Sequence, residues 1–93
     1  MFYRPRRRPS TMKAGIQVGA REFGVDVLDV SEAGMRLGVK GPFSAGQSAT
    51  IVTPRLRLPC TVVWAKGAEI GVRLDQKLSS SQMTELSGLS WGI

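Results

Sequence analysis

The sequence predicts a mainly β protein: a six-stranded antiparallel β-barrel with a flexible basic N-terminal arm and a short C-terminal helix. Three observations carry this. Between residues 12 and 74 apolar residues recur at a spacing of two in successive short runs, the period of a strand with one face in a core. Turn signals separate the runs, and many short strands at such intervals favour a small barrel. Beyond residue 78 the apolar spacing changes to three, as one stripe of a helix requires.

Residues 1–11 combine Arg4, Arg6, Arg7 and Arg8 with Pro5 and Pro9 and show no sustained period. Like charges repel and proline removes backbone donors, so this segment is expected to be an extended, flexible arm ahead of a single domain over 12–93. Met12, Ala14, Ile16 and Val18 define the first strand, over 12–20, with Gly15 and Gly19 weakening or bending it. The second runs from Phe23 to Val30 and the third from Gly34 to Lys40, where Met35, Leu37 and Val39 alternate with Arg36 and Gly38. A Gly41–Gly46 loop precedes a fourth strand over 47–53, in which Ala49 and Ile51 share a side. In the fifth, Arg55 to Lys66, the residues Leu56, Leu58, Cys60, Val62 and Trp64 fall on one face, which assigns Trp64 to the core, and Pro59 marks an edge or a bulge. Lys66-Gly67-Ala68 turns the chain into a sixth strand carrying Ile70, Val72 and Leu74. Ser79 and Gln82 have the spacing of a capping box, with Leu78 and Met83 as its hydrophobic staple, and Met83, Leu86 and Leu89 give a helix over about 80–90.

Ninety-three residues with an apolar fraction of 42% suit one domain with a modest core. No apolar stretch approaches the ~20 residues of a membrane span or follows the basic start as a signal peptide would, so a cytoplasmic protein is expected. The chain has one cysteine and no histidine. Disulfides within the chain are impossible, and soft-ligand metal sites and histidine-based hydrolysis are excluded. Cys60, in an alternating run, reads as a buried structural thiol. Neither an enzyme nor a cofactor is expected. Of 13 basic residues, five lie in Arg4–Lys13, leaving eight against seven acids in the remainder. This is a basic arm on a nearly neutral body, so anions are attracted locally rather than over a broad face.

The stretch Asp29-Val30-Ser31-Glu32-Ala33-Gly34 joins two of the strands and holds the most chemistry outside the arm. A period of two sends Asp29 and Ser31 to one side and Val30 to the other, while Gly34 is able to take a positive φ. These residues alone allow two readings. Asp29 or Ser31 bonds its own turn backbone, or the two polar groups face a ligand.

Arg4-Pro5-Arg6-Arg7-Arg8 contains an arginine pair at the spacing RxxxR, and the Asp29 hexapeptide comes after it as DxSxxG. In that order, with Val62-Val63-Trp64-Ala65-Lys66 and Ile70-Gly71-Val72-Arg73-Leu74 as penultimate and last strands, the chain resembles the PilZ family of bacterial cyclic di-GMP receptors. The likeness covers residues 4–75. It implies that Arg4 and Arg8 grip phosphate and guanine edges, that Asp29 accepts from a guanine N–H edge, that Ser31 adds a polar contact and that Gly34 keeps the turn open. A guanidinium fork suits both phosphate and the O6/N7 edge of guanine, which lysine does not. Arg6 and Arg7 interrupt the pair, so the register is open to a shift in which Arg7 takes the part of Arg4. The resemblance also implies a ligand that orders the arm over the barrel and alters the surface shown to an unidentified downstream protein, with an intercalated ligand dimer as one stoichiometry.

Two other classes compete. A barrel binding single-stranded nucleic acid through its arm usually offers aromatic platforms along a charged groove, and six aromatic residues on a near-neutral body fit this poorly. A protein-interaction adaptor that binds no nucleotide uses the same arm on an acidic partner.

Overall fold

The computed structural model describes residues 8–9 and 12–86. Its strands are β1 (Arg8–Pro9), β2 (Lys13–Val18), β3 (Arg21–Val30), β4 (Gly34–Gly38), β5 (Ser48–Val52), β6 (Arg57–Lys66) and β7 (Glu69–Leu74), with helix α1 (Ser80–Leu86) after them. Every pairing is antiparallel, and the order β3-β2-β5-β6-β7-β4 closes through β3–β4 into a six-stranded barrel. The extra strand β1 lies along the end of β3, Arg8 opposite Val30 and Pro9 opposite Asp29. The expected flexible arm otherwise lies outside the described residues.

Alternation builds the interior. Ile16, Val27, Val30, Leu37, Ile51 and Val62 are fully buried, Met35 and Cys60 nearly so, and Met12, Ala14 and Val18 pack partly against them. Two hairpins turn on Gly-Ala pairs, with Gly19 and Gly67 both at φ 61°, a conformation that a side chain would strain. At one end of the barrel Phe23 and Phe43 meet edge-to-face at 5.2 Å.

The helix begins as its residues dictate. The Ser79 N–H donates to Gln82 Oε1 at 2.9 Å and the Gln82 N–H to Ser79 Oγ at 3.1 Å, a reciprocal capping box. Leu86 is fully buried beneath it, so packing holds this short helix where propensity alone would not. The outer part of the expected helix, with Leu89, lies outside the described residues.

Two departures from strict alternation shape the outer surface. Between Val27 and Asp29 the β3–β4 register slips by one, leaving Leu28 as the extra residue of a β-bulge. Between Val62 and Trp64 the β6–β7 register slips likewise, with Val63 as the extra residue. The first bulge explains why buried valines on β3 fall at 25, 27 and then 30. The second overturns the core assignment of Trp64: one added residue reverses the facing of the positions beyond it, and the indole is 41% exposed. Pro59 stands opposite Thr50 of β5, one residue before the β7 ladder begins at Cys60, so its missing N–H costs no bond there.

Candidate functional site

Past its bulge β3 turns Asp29 outward, opposite Arg36 of β4; Arg36 stands opposite Gly71 of β7, and Gly71 opposite Trp64 of β6. Pro9 of β1 lies on the far side of Asp29. One lateral row thus crosses five strands, and a bulge flanks it on each side. The bulges aim Asp29 and Trp64 at the same outer wall.

Arg36 is the tie across this wall. Its Nε donates to Asp29 Oδ2 at 2.9 Å and its Nη1 to Glu69 Oε1 at 3.3 Å. The Asp29 side chain is 15% exposed, so this pair is better shielded from water than an ordinary surface bridge. Trp64 lies over Gly71, where an added Cβ would collide with the indole nitrogen. The glycine is what lets the indole approach the sheet this closely. Beside the row an open depression of about 440 Å³ runs between Gly24, Asp26, Leu28, Gly38, Lys40 and Glu69.

The turn of the Asp29 hexapeptide is closed by Ser31. Its N–H donates to the Gly34 carbonyl at 2.9 Å and its hydroxyl to the same oxygen at 3.2 Å, and the residue is 3% exposed. Of the two readings open to these residues, Ser31 therefore bonds its own turn, while Asp29 bonds across strands to Arg36. Glu32 and Ala33 carbonyls accept from the Leu78 and Leu74 N–H groups, each at 2.8 Å, fixing the turn to the end of β7 and the approach to α1. Gly34 corrects an expectation: among the described residues only Gly19, Gly46 and Gly67 have positive φ. Glycine is needed at 34 because a Cβ there would stand 2.6 Å from the Val72 carbonyl oxygen.

Of the six residues expected at the site, Asp29, Ser31 and Gly34 share one corner, and the Arg8 backbone joins them through β1. Arg4 and Arg7 lie outside the described residues. Sequence reasoning missed Trp64 and Arg36. The signal for Trp64 was Gly71: a lone glycine in a strand marks a bulge or a close approach. Among the described residues no group of three His, Cys, Asp or Glu side chains could hold a metal ion. Cys60 is 2% exposed and lies in the core behind β5 and β6; burial first, then the Asp75 charge, push its thiol up to about 11.

The barrel, the closed turn and the position of β1 accord with a comparison to known families, in which the PilZ domain model matches residues 2–90. The chain belongs to the PilZ family. PilZ domains are known as a cyclic di-GMP-binding family and are generally binding or adaptor modules. No curated protein matches this chain. In this PilZ domain no described helix is long and apolar enough to cross a membrane.

Proposed function

We propose that this PilZ domain is a cyclic di-GMP receptor in which the arginines of the arm and the Asp29 corner hold one nucleotide unit against the outer wall. The observation that carries the reading is the pairing of Arg8–Pro9 with Val30 and Asp29, which brings the two motif segments together in one sheet. Arg8, with Arg4 or Arg7, supplies guanidinium forks to phosphate and to guanine O6/N7. Asp29 accepts from the guanine N–H edge. Ser31 acts through the turn it closes, and Gly34 permits the close approach of β4 to β7. Trp64, over Gly71 at the other end of the row and exposed, offers its ring as a stacking surface for a base.

In this reading the output is an ordered arm. The ligand gains contacts only when residues 1–7 lie over the wall, so it shifts the population toward that state and changes the surface met by a downstream protein. The protein works as a cytoplasmic binding module, without catalysis and without a cofactor.

Titration calorimetry with cyclic di-GMP, and with GTP and single-stranded DNA as controls, tests this. Micromolar or tighter binding of cyclic di-GMP is expected, weakened roughly tenfold or more by Arg8→Ala or Asp29→Ala, since each removes charge-assisted hydrogen bonds. Equal or stronger heats with DNA would transfer the protein to the nucleic-acid class. Silence with every nucleotide would leave the adaptor reading.

A further inference from the structure

The outer face of β7 carries Glu69, Gly71 and Arg73 at a spacing of two, and the first two are already accounted for. Glu69 accepts from Arg36, and Gly71 lies under Trp64. Arg73 is exposed, stands opposite Gly34 of the Asp29 hexapeptide on one side and Thr61 on the other, and among the described residues its side chain has no hydrogen-bond or ion-pair partner. Since Gly34 has no side chain, the guanidinium meets no obstruction from that neighbour.

The charges of the wall show why such a group matters. Arg36 is shared between Asp29 and Glu69, so these three groups sum to a net charge of −1. A dianionic ligand laid against Asp29 and Glu69 alone would be repelled. Arg73 adds a cation to this wall, beside Lys66 opposite Glu69 and Lys40 in the adjoining depression. Two other exposed cations are committed elsewhere: Lys13 pairs with Asp26 at 2.8 Å, and Arg57 donates to Gln17 at 2.8 Å on the opposite wall.

We propose that Arg73 is a phosphate-binding residue of this face, gripping one phosphodiester of the ligand from the barrel side. The proposal rests on the cyclic di-GMP reading. A fork of N–H donors matches two phosphate oxygens, which gives Arg73 directional bonds as well as charge. An arginine carried by a barrel strand fixes where on the wall its anionic contact forms.

Calorimetric titration of cyclic di-GMP into the wild-type chain, Arg73→Gln, Arg73→Lys and Arg57→Gln, each at two salt concentrations, decides it. Arg73→Gln is expected to weaken binding roughly tenfold and to reduce the sensitivity to salt, because one screened ion pair is lost. Arg73→Lys should recover part of the affinity, restoring charge without the fork, and Arg57→Gln should bind as wild type does. Wild-type binding with an unchanged Arg73→Gln affinity and salt response would show Arg73 to be merely solvated, and the receptor reading would stand without it. Absence of wild-type binding would instead overturn the receptor reading, and this inference with it.

Discussion

Two walls of one barrel, built from the same residue classes, behave in opposite ways. Over β2, β3 and β5–β6 the outward side chains satisfy one another across regular ladders: Lys13 with Asp26, Gln17 with Glu22 at 3.0 Å, and Arg57 with Gln17. Register there is unbroken from Lys13↔Asp26 to Val18↔Arg21. Over β3, β4, β7 and β6 the ladders are interrupted by two bulges, glycine stands where a side chain would be in the way, and an indole and a guanidinium remain exposed. A wall whose polar groups are already paired has little to offer a ligand. The second wall keeps aromatic surface and charge available, at the cost of regular pairing.

The sharpest way to break this contrast is at Gly34. Ala at 34 places a Cβ against the Val72 carbonyl oxygen, and backbone on β7 must move to relieve it. Gly34→Ala is expected to cost about 2–3 kcal/mol in urea unfolding, in line with overpacking of a close backbone contact. Gly24, opposite Gly15 on the unbroken β2–β3 ladder, has open space at its Cβ, so Gly24→Ala should be nearly neutral. Comparable losses from both would mean that close approach is not special to the second wall.

A smaller effect reaches both walls through the core they share. The Cys60 thiol has its pKa raised from the usual 9.0 to about 11, so the folded chain keeps a proton that the unfolded chain releases. Stability must then fall as pH rises from about 9 toward 11, because the unfolded state binds fewer protons in that window. The loss should approach about 2 kcal/mol. Lys13, whose pKa is raised chiefly by its bond to Asp26, loses its charge in the same direction, so the thiol is isolated by difference. Cys60→Ala should show a shallower decline of the urea midpoint above pH 9; an identical decline would remove Cys60 as its cause.

The paired wall and the core were legible in the sequence because both obey a period of two: Ile16, Leu37, Ile51 and Val62 are buried as the alternation requires. The capping box at Ser79 was legible for the same reason, a local pattern with a local cause. The site wall was legible in its motif and illegible in its geometry. A β-bulge is one residue of excess in a pairing between distant strands, and extending the alternation from Leu56 to Trp64 carries the indole to the wrong face. The spacing of Val25, Val27 and Val30 does announce the β3 bulge, since 27 to 30 breaks the period that 25 to 27 keeps. The motif marks Gly34 as necessary, yet its reason lies in the carbonyl of Val72, thirty-eight positions away, which no local rule supplies. Arg36 reads in the sequence as one outward polar residue among several; only closure of the barrel brings Glu69 to it.

The finest test exchanges the two walls within one measurement. Trp64→Ala removes an exposed ring, so the fold should hold while cyclic di-GMP affinity falls roughly tenfold, the usual effect of losing one base-stacking surface. Lys13→Ala removes a positive charge instead, but from an exposed pair with Asp26 on the β2–β3 ladder, away from Asp29 and Trp64, and no change in affinity is expected. Net charge alone would order these variants the other way, since only Lys13→Ala reduces attraction for a dianion. If Lys13→Ala weakened binding and Trp64→Ala did not, the ligand would be drawn by charge without regard to the wall, and the arrangement of Asp29, Arg36, Gly71 and Trp64 would be a property of the sheet rather than of a site.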